Sequence, residues 1–148
     1  MVSTSNLNPT LPLEKQALLN ILHTQACLLE KMNEVFKAHD LSGEQFNVLR
    51  ILRGQKGSPA NMCLIQERMI AKTSNTTRLV DKLLAKGLVT REVCPQNRRK
   101  IEVQITQKGL DLLQLIGPEV DAKEKMLVGN FTPKELQTLI TLLDKFTK

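Results

Sequence analysis

The chain has 148 residues and a formal charge of +6, with 41% hydrophobic residues, three Cys, two His and neither Trp nor Tyr. That length suits one domain that buries its own core without a disulfide framework. Cys27, Cys63 and Cys94 are widely spaced with no CxxC pair, and His23 and His39 form no HxxxH cluster, which excludes structural zinc and Ser-His-Asp or Cys-His catalysis. No metal, cofactor or enzymatic activity is expected.

The N-terminal stretch MVSTSNLNPTLPLEK lacks a basic start followed by an apolar run. Nowhere does the chain approach the roughly 18 continuous apolar residues of a membrane span, so a reduced, cytoplasmic protein with no membrane partner is expected. Residues 1–12 hold Ser, Thr, Asn and two Pro and read as a flexible arm. From Leu13 to about Ala38, Leu18, Leu22, Leu29, Met32 and Phe36 recur at helical spacing. A helix of that length reaches about 36 Å, more than a small domain covers, so a second copy of the chain is the simplest partner for the rest of its stripe.

Ser42 and Gln45 form a capping box that opens a second helix through Phe46, Val48, Leu49 and Leu52, ending at the Gly54–Pro59 breakers. Residues 60–70 read as a short helix with Met62, Leu64 or Ile65, and Met69 inward. Thr73 to Lys86 reads as a helix with Thr76, Leu79, Val80, Leu83 and Leu84 inward, and with Ser74, Asn75, Arg78, Asp81 and Lys82 outward. Gly87 closes it.

Beyond Gly87 the period falls to two: Leu88–Val93 and then Ile101, Val103 and Ile105 predict a two-stranded hairpin whose loop runs from Cys94 to Arg99. Thr106 caps a helix through Leu110, Leu112, Leu113, Leu115 and Ile116, with a bend expected at Gly117-Pro118 before Val120–Val128. Thr132, Pro133 and Glu135 are the cap, first and third positions of a last helix carrying Leu136, Leu139, Ile140, Leu142, Leu143 and Phe146.

The charge is local. Between Lys72 and Lys108 stand nine Lys or Arg and three acids, while the rest of the chain has twelve of each and cancels. That quarter therefore carries the whole excess, the footprint of a polyanion site. Its order of helix, turn, polar-faced helix and hairpin with a cationic tip is that of a winged helix-turn-helix. The polar helix suits a major groove, and a narrow ribbon tipped by arginines suits the adjacent minor groove. The fold class expected is mainly α with a small β-hairpin wing, and the partner is double-stranded DNA.

The segments SNTTRLVDKLLAKGLVTR and PQNRRKIEVQITQKG resemble the MarR family of bacterial transcriptional regulators, with its RLVDKL..KGL pattern followed by a wing close to DxRxxxVxLTxxG. The resemblance implies a homodimer with interlocking N- and C-terminal helices that binds a pseudo-palindromic operator, as a repressor, and is released by a small lipophilic or phenolic effector or by cysteine oxidation. By position it places the wing arginine on Arg99 and the base readers on Ser74, Asn75, Thr77 and Arg78. With the neighbouring Thr73, Lys82, Asn97, Arg98 and Lys100 these form the candidate DNA-binding set.

Three positions depart from the pattern. Asn97 replaces a usual Asp that braces the wing, Lys72 replaces a frequent Ser cap so that Thr73 or Ser74 is expected to cap, and Ile70 stands where Gly often eases the turn. Cys27 reads as a small buried hydrophobe and Cys94 as the more exposed thiol, which leaves a redox-responsive regulator as one alternative. A winged helix used only for protein contact is the other. The expected division is an arm at 1–12 and a single domain at 13–148, with DNA binding at 41–109 and dimerisation helices at 13–39 and 110–148.

Overall fold

A computed structural model describes residues 10–72 and 75–148. Residues 1–9 of the expected arm, together with Thr73 and Ser74, lie outside the described residues. Helix α1 spans Leu13–Lys37, and at its end Asp40 adopts φ 54°, a left-handed conformation that Asp tolerates. This lets the Leu41 N–H reach back to the Phe36 carbonyl at 3.0 Å and turns the chain into α2, Gly43–Gly54. The box expected there forms reciprocally: Ser42 Oγ accepts from the Gln45 N–H and Gln45 Oε1 accepts from the Ser42 N–H, both at 3.1 Å.

Helix α2 is the central post. Phe46, Val48, Leu49, Ile51 and Leu52 are all buried, and the Phe46 ring lies 4.7 Å from that of Phe36 on α1. Leu49 is fully enclosed, so its replacement by Ala would cost about 2–5 kcal/mol. Residues 60–70 divide differently from the expectation. Ala60–Asn61 form a short strand, β1, and only Met62–Arg68 are helical, as α3, with the Asn61 side chain accepting from the Leu64 N–H at 2.8 Å. Two residues are too few to display an alternating pattern, so β1 carries no periodic signal.

Helix α4 is Thr76–Ala85, strand β2 is Val89–Cys94 and strand β3 is Asn97–Ile105. The sheet has the order β1-β3-β2 and is antiparallel throughout, so the hairpin acquires a third strand that anchors its base. Val103 sits at its centre, opposite both Ala60 and Arg91, and is fully buried. Helix α5, Gln107–Leu127, is continuous through Gly117-Pro118. Pro118 removes one backbone donor from the helix without ending it. Leu113, Ile116 and Val120 hold α5 in the core while Leu115 faces outward.

Two polar ties fix α5 to α1 and its exit. His39 Nε2 meets Glu119 at 2.8 Å and Lys123 Nζ meets Glu34 at 2.9 Å, and that lysine hydrogen bond together with the lysine charge holds the Glu34 carboxyl below its ordinary value. Helix α6, Pro133–Asp144, forms behind the expected Thr132–Glu135 box but buries no residue. Much of α1 is equally bare: Leu18, Leu22 and Leu29 are more than half exposed, as are Ile140, Leu142 and Phe146 near or on α6. Single surface leucines need no explanation, but two helices with unpartnered apolar stripes do.

Candidate nucleic-acid interface

The reading helix is set by its buried face. Thr76, Leu79, Val80 and Leu83 point into the core at helical spacing, which turns Asn75, Thr77, Arg78, Asp81 and Lys82 to solvent. Leu84, expected inward, is partly exposed because it lies one step round from the Leu79–Leu83 stripe. The helix starts later than expected. Asn75 is its cap, with Oδ1 accepting from the Arg78 N–H at 3.1 Å, so the capping role assigned to Thr73 or Ser74 falls to Asn75. Asn75 therefore commits its oxygen to the backbone and keeps its amide N–H₂ for outside contacts.

Ile70 itself does not take a positive φ, so no glycine is needed at that position, and its N–H donates to Asn47 Oδ1 at 2.9 Å, which pins the start of the turn to α2. The hydroxyl of the buried Thr76 meets Gln66 Oε1, tying α3 to α4.

The wing departs from a simple loop. Its turn is only Pro95-Gln96, because Cys94 already pairs with Asn97, and the next pair is Val93 with Ile101. Three residues of β3 therefore oppose nothing on β2, and they are Arg98, Arg99 and Lys100. The ladder expels the three cations as a bulge, with all three side chains exposed. Asn97 Oδ1 accepts from the Arg99 N–H at 3.1 Å, so the Asn at the family's Asp position still braces the bulge, through the backbone two residues on.

Charge pairing separates the cations into two groups. Arg91 on β2 pairs with Asp81 on α4, locking the wing to the reading helix, and Lys86 pairs with Asp40. Arg78, Lys82, Arg98, Arg99 and Lys100 have no carboxylate within salt-bridge distance among the described residues. These five free cations all lie on α4 and the wing bulge, with Asn75, Thr77 and Asn97 beside them. Thr73 and Ser74 lie outside the described residues, so their place in the set stays an expectation. Sequence reasoning missed the Asp81–Arg91 tie, since no fixed spacing links a helix to a strand.

The remaining wing positions have physical roles. Gly87 has φ 71°, which lets the chain leave α4. Thr106 caps α5 by accepting from the Gly109 N–H at 3.1 Å, and a Cβ at Gly109 would lie 2.5 Å from the Leu88 carbonyl oxygen. The cysteines are placed otherwise than expected: Cys27 and Cys63 are exposed and Cys94 is half-buried. Cys27 sits on a part of α1 that the rest of the described chain leaves exposed.

Fold and site together define a winged helix-turn-helix. The MarR family model matches residues 41–101. A MarR transcription factor from Planctomyces limnophilus is 32% identical, covering 90% of this chain and 96% of that one, with a TM-score of 0.72. The transcriptional regulator MhqR of Bacillus subtilis (strain 168) is 28% identical over 116 residues, 78% of this chain and 79% of that protein. The structure of a mutant MarR from E. coli complexed with operator DNA shares the fold at a TM-score of 0.80, with 24% identity over 91% of this chain and 96% of that one.

The chain belongs to the MarR family. It is accordingly a transcription regulator and not an enzyme. Among the described residues no helix is long and apolar enough to cross a membrane.

Proposed function

We propose that the protein is a homodimeric repressor that binds a pseudo-palindromic operator through α4 and the wing, and leaves it on binding a small effector. The observation that carries this reading is the clustering of five exposed cations without a carboxylate partner on α4 and the wing bulge, beside the polar face of α4. Phosphates attract such cations without regard to sequence, whereas the polar groups of Asn75, Thr77 and Arg78 suit base edges. The candidate contact set remains Thr73, Ser74, Asn75, Thr77, Arg78, Lys82, Asn97, Arg98, Arg99 and Lys100.

Dimerisation is supported by the bare stripes on α1 and α6. Leu22 at 59% and Ile140 at 54% exposure lie on helices whose apolar faces the rest of the described chain leaves open. In the proposed division, 41–109 binds DNA and 13–39 with 110–148 dimerise. For the effector we propose a small phenolic or lipophilic molecule; the cleft between α2 and α5, lined by Phe46, Leu113, Gly117 and Val120 but also by Arg50, Arg53, Asp121 and Glu124, suits a ring bearing a polar group better than a purely aliphatic one. At about 140 Å³ this cleft admits little more than one ring.

Selection of bound duplexes from a random pool tests the reading. The expected product is a motif of two inverted half-sites about one helical turn apart. Recovery of no motif, or light scattering that gives a monomer at micromolar concentration, would contradict it.

A further inference from the structure

A second cationic feature lies at the other end of the reading helix. Lys37 from the last turn of α1, Asp40 and Leu41 from the connection, Gln45 from α2, and Lys82 and Lys86 from α4 line a cavity of about 310 Å³. Lys86 is the C-cap of α4, and Asn75 caps its start, so the cavity is removed from the end that a recognition helix presents to bases. Three ammonium groups face one carboxylate there.

The polar groups are not equally engaged. Lys86 Nζ donates to the Asp40 carbonyl and lies 3.4 Å from Gln45 Oε1 and 3.6 Å from Asp40 Oδ2, which makes it a tether between α4 and the α1–α2 connection. Lys37 and Lys82 have no acid partner among the described residues. Gln45 is only 5% exposed and spends its oxygen on the Ser42 N–H and on Lys86, which leaves its Nε2 donor without an acceptor among the described residues. The Gln45 amide thus keeps a donor for whatever occupies the cavity, and the excess of ammonium groups around it favours an anion there.

We propose that this cavity binds a phosphate group carried on a small organic molecule. Lys37, Lys82 and the Gln45 amide would donate to its oxygens, and the volume leaves room for the esterified portion beside the phosphate. The ligand would also withdraw Lys82 from the duplex, so its occupancy weakens DNA binding. That last consequence rests on the operator-binding reading, whereas the site itself does not.

The test uses the full chain without DNA, followed by nuclear magnetic resonance. Inorganic phosphate and glycerol 3-phosphate are titrated separately against chloride at constant ionic strength. Saturable shifts are expected at Gln45, including its side-chain amide, and at Lys82 and Lys86, with the monoester binding more tightly than the free ion. Lys37→Ala should weaken this binding by about tenfold and Lys37→Arg should retain it. Shifts that rise linearly without saturation, that centre on residues 98–100, or that persist unchanged in Lys37→Ala would overturn the site. In a separate duplex assay, glycerol 3-phosphate should lower affinity for the wild type and not for Lys37→Ala. Unchanged affinity at saturating monoester would overturn the link to DNA while the titration still decides the site.

Discussion

Replacing Arg99 by Ala removes, from each protomer of the proposed dimer, one of the five unpaired cations on α4 and the wing bulge. If all five in both protomers meet phosphates, ten contacts set the salt dependence, and log K falls with log salt at a slope of about −9. Between 50 and 200 mM salt that amounts to a loss of about five decades in affinity. The Arg99→Ala dimer keeps eight contacts, for a slope near −7 and a loss of about four decades over the same range. Replacing Arg98, Arg99 and Lys100 together leaves four contacts and a slope near −4. The measurement is fluorescence anisotropy of a labelled operator duplex at five or so salt concentrations. Because the bulge residues are exposed and pair with no acid, the melting temperature should not move. A slope that stays at its wild-type value in the triple variant would remove the wing from the interface.

Three further substitutions separate roles that coincide in one residue. Asn75→Ser keeps a neutral oxygen that can cap α4 but loses the amide donor, so stability should hold while discrimination at one base position falls by about 1–3 kcal/mol. Equal weakening on every duplex would assign Asn75 to the backbone instead. Arg91→Ala breaks a partly exposed ion pair with Asp81, so urea unfolding should shift by no more than about 1 kcal/mol, yet operator affinity should drop because the wing is no longer held to α4. A double-mutant cycle with Asp81→Ala that shows no coupling in binding would refute the tie. Gly109→Ala places a Cβ 2.5 Å from the Leu88 carbonyl and 2.6 Å from Ile105, and the resulting strain should cost about 1–3 kcal/mol in denaturant unfolding. Wild-type stability in that variant would mean that α5 does not approach the wing so closely.

Short-range chemistry was legible along the chain. Both capping boxes, the Thr106 cap, the Gly87 exit and the polar face of α4 each depend on residues within a few positions of one another, and the backbone obeys them wherever the segment sits. The excess charge between Lys72 and Lys108 was readable for the same reason, since a run of cations needs no partner to be counted.

What pairing decides was not readable. Strand β1 exists only because Ala60 and Asn61 find β3 more than forty positions later, and two residues leave no period behind. The register step that expels Arg98, Arg99 and Lys100 depends on which residue of β2 meets which of β3, and a shift of one position would have turned every side chain of the strand over. Asp81 and Arg91 were visible as charges, but their union is a distance between a helix and a strand. The cap of α4 moved to Asn75, and Cys27 proved exposed, because α1 runs on past the body that would have covered it. Amino-acid order dictates each local preference, whereas the choice of long-range partner depends on chain segments that are remote until the core closes.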